Sequence, residues 1–289
     1  MEIGIWTGIQ SKYDYEEYFS RIKKAGYDGV VYGLSSAWLK VDPVFAKPYT
    51  EWVKYFTKAA DSLKNNELKP YSTHAVIPTN FDGAERLTDV TLDQFKKEIE
   101  ATAILGCKYI VIHPINIAVM DRDKQRDFEI NMEAFARFEP ILKEFDVKLG
   151  VENMFGWDEH RRILCQTGCS SAEDMIRYID SMNSDRFVAC LDTGHMVING
   201  YSPALAAKKL GNRLKLLHVH DNYCAVDNHN IPGFGVTDWH AFSAALKEIN
   251  YDGAFTLEVG FDSAWKISEN IAWKSIEYAY QVSREIVNL

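Results

Sequence analysis

The stretch LKLLHVHDN, Leu214 to Asn222, decides the reading of this chain. Its first half is a short, nearly continuous apolar run, as a strand buried on both faces should be. Its second half brings two histidines, His218 and His220, and an acid, Asp221. Polar residues at the C-terminal end of a buried parallel strand stand where α/β barrels keep their active sites. Three other apolar runs end the same way: KLGVEN at Glu152, FVACLD at Asp192 and AFTLEV at Glu258. Strand ends that supply Glu, Asp, His and Glu point to a metal site at the mouth of a barrel.

Working outward, apolar runs alternate with longer amphipathic segments along the whole chain. The expected strands are Ile3–Trp6, Gly29–Tyr32, Leu68–His74, Lys108–His113, Val147–Glu152, Phe187–Asp192, Leu214–His218 and Ala254–Val259. Helical periodicity is expected over Tyr15–Ala25, Tyr49–Asn65, Leu92–Leu105, Asp123–Phe145, Ser171–Ser181 and Ser268–Val287. Gly26 and Gly106 follow two of these helices, where a C-cap takes a left-handed residue. This alternation is the content of a (β/α)₈ TIM barrel, and 289 residues suit that fold with insertions. A doubly wound sheet would carry a glycine-rich phosphate loop after its first strand, where this chain reads Trp6-Thr7-Gly8-Ile9-Gln10. With no linker, charge block or low-complexity tract, residues 1–289 read as one domain. The segment NMFGWDEHRRILCQTG after Glu152 is long for a βα connection, and long loops are often functional.

Composition narrows the function classes. A hydrophobic content of 47% with 13% aromatics supports a packed core. The net charge of −9 argues against a nucleic-acid partner, whose binding needs a basic face. Five cysteines (Cys107, Cys165, Cys169, Cys190, Cys224) form no disulfide framework, and Cys165 and Cys169 lack the second pair of a zinc knuckle. The N-terminus is no signal peptide and no apolar run approaches the ~20 residues of a membrane span. The expectation is a cytoplasmic protein without membrane contact.

A lone carboxylate at a strand end is commonly a cap or hydrogen-bonding residue. Four converging groups with three negative charges need a cation, because buried unpaired carboxylates are costly. Glu152, Asp192, His218 and Glu258 form an oxygen-rich set with one imidazole, which suits one divalent ion: Mn, Mg, Co or Zn. More histidines sit near strand ends than one ion requires: His74, His113 and, in the stretch Asp227-Asn228-His229, His229. Strand alternation puts His218 and His220 on the same side, with His220 one layer nearer the mouth, as a substrate or loop contact, and Asp221 orienting its neighbours. Trp6, Tyr32, Phe155 and Trp157 are placed to line a pocket near the strand ends, although core packing explains each equally well. His160-Arg161-Arg162 reads first as a solvated loop charge and second as an anion contact.

The elements Val151-Glu152-Asn153, Leu191-Asp192-Thr193-Gly194-His195, Leu217-His218-Val219-His220-Asp221 and Leu257-Glu258 together resemble the xylose-isomerase-like barrel superfamily, over essentially the whole chain. Within it they look most like the sugar isomerase/epimerase branch. The resemblance implies a metal held by Glu152, Asp192, His218 and Glu258, with Glu152 and Glu258 also the catalytic acid/base pair. His195 matches a position that contacts substrate or a second metal, and His74, His113, His220, His229, Trp6 and Trp157 become substrate-binding candidates. The implied activity is isomerisation or epimerisation of a small sugar or polyhydroxy ketone through an enediolate. Two alternatives stay open. One is an inosose-type dehydratase. The other is an endonuclease IV-like three-zinc enzyme, whose ligand complement the histidines also resemble. Barrels of this type often form homo-oligomers. The chain departs from the pattern in two places: Asp221-Asn222-Tyr223-Cys224 holds no arginine where ketose 3-epimerases have one, and Tyr32-Gly33 stands where many relatives carry a glutamate.

Overall fold

The computed structural model describes residues 1–7, 14–34, 43–76, 87–115, 124–158 and 160–289. Gly8 to Gln10, Asp123 at the expected start of one helix, and Glu159 lie outside the described residues. The strands of the main sheet are β1 (Ile3–Thr7), β2 (Gly29–Gly33), β3 (Lys69–His74), β4 (Tyr109–Ile112), β5 (Lys148–Glu152), β8 (Phe187–Asp192), β9 (Leu214–His218) and β10 (Phe255–Leu257). All pair in parallel in the order β10-β1-β2-β3-β4-β5-β8-β9. A parallel bridge between Val219 and Leu257 closes the ring. Val219 donates its N–H to Thr256 O at 2.8 Å and Glu258 donates to Val219 O at 3.0 Å across that seam. The expected (β/α)₈ barrel is the fold.

Helices α1 (Tyr15–Lys24), α2 (Tyr49–Asn65), α3 (Asp89–Ile104), α4 (Lys124–Glu144), α5 (Ala172–Met182), α7 (Pro203–Leu210), α8 (Trp239–Glu248) and α10 (Glu269–Asn288) surround the sheet, with two short helices, α6 (Thr193–Ile198) and α9 (Asp262–Ile267). Local sequence starts and stops them. Ser171 and Asp174 form a capping box at α5, and Ser202, Asp238 and Ser268 cap α7, α8 and α10. Gly26 and Gly106 take φ of 108° and 78° just past α1 and α3, which a residue with a Cβ resists. The main core fills the annulus between sheet and helices, with Phe19, Phe56, Phe95, Phe135, Phe138 and Phe242 fully buried. No helix among the described residues is long and apolar enough to cross a membrane.

The structure corrects three expectations. The last strand is Phe255–Leu257 instead of Ala254–Val259, so Glu258 stands just past the strand end. The segment after Glu152 is no open loop: β6 (Phe155–Asp158) and β7 (Ile163–Gln166) make an antiparallel hairpin. Asp158 Oδ1 closes its turn by accepting from His160 N and Arg161 N, both at 3.0 Å. Between β8 and β9 the chain forms α6 and α7, between β9 and β10 α8, and after β10 α9, where no helix was expected.

Candidate active site and metal centre

Two-residue alternation along the strands builds the site. Val111, Gly150, Cys190 and Leu216 turn into the barrel, where a Cβ on Gly150 would meet Leu216 at 2.7 Å and Cys190 and Val111 at 3.4 Å. Two residues further along the same strands come His113, Glu152, Asp192 and His218, forming a polar layer directly above that apolar plug. Register pairs Asp192 with His218 and Glu152 with Cys190 on neighbouring strands.

One ligand atom each from Glu152, Asp192, His218 and Glu258 lies within 4.8 Å of the others. His218 Nδ1 is 3.1 Å from Glu152 Oε1 and 2.8 Å from Glu258 Oε2. Glu152 and Asp192 have no exposure, whereas the Glu258 side chain keeps 19% and faces the mouth. Glu152 Oε2 and Glu258 Oε2 are buried without a hydrogen-bond partner although imidazole nitrogens stand close by. Short but misdirected contacts of this kind match the spacing of neighbouring ligands, about 3 Å apart when metal bonds are ~2.1 Å. The donor set therefore fits a divalent ion of the Mn, Mg, Co or Zn type.

Around this quartet lie two further groups. His74 Nε2 and His113 Nε2 approach Glu152 Oε2 at 3.4 and 3.2 Å. His195, His220, Asp227 and His229 form a second cluster of ligand atoms within 4.8 Å of one another. Asp227 bridges it, 3.5 Å from His195 Nε2 and 2.9 Å from His229 Nε2. Six of the chain's eight histidines thus converge on one end of the barrel, leaving His160 and His240 outside these groups. Asp227 was not among the residues expected in the site. Its signal was the D-x-H spacing to His229, but only the loop's return over the barrel brings it to His195.

The DTGH element has a mechanical explanation. Asp192 Oδ1 caps α6 by accepting from His195 N at 2.7 Å. Asn153 clamps the Asp192 main chain, its Oδ1 accepting Asp192 N–H at 2.8 Å and its Nδ2 donating to Asp192 O at 3.0 Å. His195 donates from Nδ1 to Asn153 O at 2.9 Å, which turns its Nε2 toward Asp227. Thr193 Oγ1 donates to His220 O at 2.7 Å and accepts from His220 N at 3.1 Å. Asp221, fully buried, faces away and ties down the loop that follows.

Charges in the site are mutually arranged. Burial raises the Glu152 carboxyl, but the imidazoles of His218 and His113 outweigh it and hold Glu152 well below the ordinary carboxylate range. Burial and His218 oppose each other at Glu258 in the same way, with the same downward outcome. At His218 burial pulls down, while Cys190, Glu258 and Glu152 push up and prevail. His195, with burial opposed by Asp192, Asp227 and Glu152, is raised to about 10. His229, with burial opposed chiefly by Asp227, is raised to about 9. His113 shifts down because burial outweighs Glu152.

The remaining expected residues fall as follows. Trp6 lies over the mouth end of β2, its Cζ2 2.7 Å from where a Gly33 Cβ would stand. Tyr32 turns outward instead, its hydroxyl 3.0 Å from that of Tyr15 in the helix layer. Phe155 sits edge-on to His195 with ring centroids 4.9 Å apart. Trp157, 40% exposed, stands on the hairpin opposite Leu164. Arg161 reaches Asp158 at 3.4 Å within the hairpin turn. All five cysteines are free thiols.

Known proteins share this architecture. The chain is 25% identical over 262 residues to a D-psicose 3-epimerase of Enterocloster bolteae, covering 89% of this chain and 82% of that protein. A solved D-psicose 3-epimerase from Clostridium cellulolyticum H10, with D-tagatose, superposes with a TM-score of 0.77 at 17% identity, covering 99% of both chains. The IOLI protein, solved with a bound zinc atom, superposes with a TM-score of 0.70 at 16% identity, covering 99% of this chain and 98% of that one. The sequence profile of the xylose isomerase-like TIM barrel matches residues 19–281, nearly the full span from α1 to α10. By that match, and by the barrel that carries it, the chain belongs to the xylose isomerase-like TIM-barrel family.

Proposed function

We propose that this protein is a divalent-metal-dependent isomerase or epimerase acting on a small sugar or polyhydroxy ketone. The observation that carries the reading is the quartet: two carboxylates, Glu152 and Glu258, share one pocket with Asp192 and His218, one enclosed and one open to the mouth. The relatives support the substrate class, being epimerases of D-psicose and L-ribulose and isomerases of inosose.

A bound divalent ion would polarise a ketone carbonyl and favour loss of the neighbouring proton. Glu152, Asp192, His218 and Glu258 would hold it. Glu258, reachable from the mouth, takes the proton from the carbon beside the carbonyl, leaving an enediolate. Glu152, once it has taken up a solvent-derived proton, serves as the partner acid: a proton given to the opposite face of that carbon yields the epimer, and one given to the neighbouring carbon yields the isomer. Trp6 supplies an apolar face, and His74, His113 and His229 supply polar partners for the polyol. The free thiols accord with a cytoplasmic enzyme.

Two measurements test the reading. Metal analysis of the purified protein is expected to find one Mn-, Mg-, Co- or Zn-type ion per chain. Incubation with D-psicose, D-tagatose or L-ribulose in D₂O is expected to place solvent deuterium on the carbon next to the carbonyl. Epimerisation of any of them without deuterium uptake would rule out the proton-transfer step.

The cluster of His195, His220, Asp227 and His229 favours a second reading, in which more than one ion binds and the chemistry is phosphodiester hydrolysis. The net charge of −9 weighs against a DNA substrate. Three zinc ions per chain together with cleavage of abasic DNA would establish that alternative.

Metal binding should also release protons. In the metal-free protein Cys190, Glu258 and Glu152 outweigh burial and favour the protonated form of His218. An ion can be ligated only by the deprotonated nitrogen. Apparent metal affinity is therefore expected to rise with pH, about tenfold per unit for one displaced proton. Calorimetric titrations in two buffers of different ionisation enthalpy measure the proton count directly, and identical heats in both would contradict it.

A further inference from the structure

We infer that His220 is a positioning residue for the metal centre, a rigid donor that fixes the Asp192 carboxylate; the inference rests on the quartet being the metal site. His220 has no exposed surface, so it meets neither solvent nor an incoming molecule directly. Its Nε2 lies 3.0 Å from Asp192 Oδ1 and 3.1 Å from Oδ2, centred on the carboxylate. Its Nδ1 is buried with no hydrogen-bond partner, so in the neutral ring the proton belongs on Nε2, pointing at Asp192.

Everything around the ring holds it still. Its plane stacks on His229 with centroids 4.2 Å apart and an angle of 16°. Its backbone is held on both sides by Thr193 Oγ1. On the remaining side it lies against Gly194, where a Cβ would come within 1.9 Å of Cε1 and 2.4 Å of Nδ1. The glycine between Asp192 and His195 is thus the space this imidazole occupies. Asp192 is held from three directions: its main chain by Asn153, one oxygen by His195 N–H, and the whole carboxylate by His220. Outer partners of this kind set the orientation and basicity of a ligand, and losing one typically costs 10–100-fold in metal affinity.

The test uses Co²⁺ as the probe on the metal-free full chain, following binding by calorimetry and by the visible d–d bands of the bound ion. The expected result for His220→Ala is a 10–100-fold weaker Co²⁺ affinity with an altered band shape. His220→Gln, which keeps an N–H donor at about the same reach, is expected to recover most of the affinity and the original bands. Melting of both metal-free variants separates this from a fold defect, since a purely structural role would lower stability and leave the spectrum of the bound ion unchanged. His220→Ala with wild-type affinity and bands would overturn the assignment. So would a variant that loses one of two bound ions while the other keeps its affinity, which would make His220 a ligand of a separate ion. If the unaltered protein binds no Co²⁺, the metal reading itself falls, and this assignment with it.

Discussion

Replacing Glu258 by glutamine is expected to lower turnover of an accepted ketose by roughly 10²–10⁴-fold, the usual worth of a positioned acid/base group. The substitution keeps size and one potential ligand oxygen, so part of the metal affinity should survive while the proton acceptor is gone. Glu258 is the sensitive choice because its side chain alone in the quartet combines exposure to the mouth with contact to His218, at 2.8 Å. Glu152 is enclosed by His218, His74 and His113, so altering it would disturb the metal layer and the chemistry together. Steady-state kinetics of Glu258→Gln, with the metal content measured on the same sample, decide the point. Wild-type turnover with metal bound would show that Glu258 does not carry the proton.

The second large effect is structural. Asp221→Ala is expected to cost about 3–5 kcal/mol, lowering the melting temperature on the order of 10 °C. The carboxylate is completely buried and accepts from Asn222 N at 3.1 Å, Gly233 N at 3.0 Å, Thr237 N at 3.2 Å, Thr237 Oγ1 at 2.9 Å and Trp239 Nε1 at 3.0 Å. Removing it leaves several donors without a partner, each a desolvation cost of ~1–3 kcal/mol. The loop released is the one that carries Asp227 and His229. Limited proteolysis should therefore cut the variant between residues 222 and 239, and urea melts should give the stability loss. A shift below about 1 kcal/mol would mean that packing, not this carboxylate, holds the loop.

The barrel and its quartet were legible because both are local signals. Each member of the quartet directly follows or ends an apolar run, and the helix ends are marked by single residues such as Gly26 and Gly106. Asp221 orients its neighbours as its place after His220 suggests, but its five donors come from as far along the chain as Trp239 and are not visible in the sequence. The hairpin Phe155–Gln166 was missed because its two four-residue strands lack clean alternation and its turn depends on Asp158 bonding forward to His160 and Arg161. His220 shows the limit most clearly. Alternation placed it correctly on the side of His218, but its partner Asp192 comes from the neighbouring strand. The expectation of a contact near the mouth gives way to a fully buried ring. Asp227 needed the same kind of long-range information.

The pairings of β10 close the barrel. This three-residue stave pairs with β1 on one side and meets β9 through the Val219–Leu257 bridge on the other, so the ring shuts only when opposite ends of the chain find each other. Closing so long a loop is entropically slow, and contacts of this range form late in folding. Glu258 follows immediately after β10 and arrives with it. The quartet of Glu152, Asp192, His218 and Glu258 is therefore complete only when the seam around β10 has closed. Tight metal retention should therefore emerge in the slowest refolding phase, making a bound ion a reporter of the finished barrel.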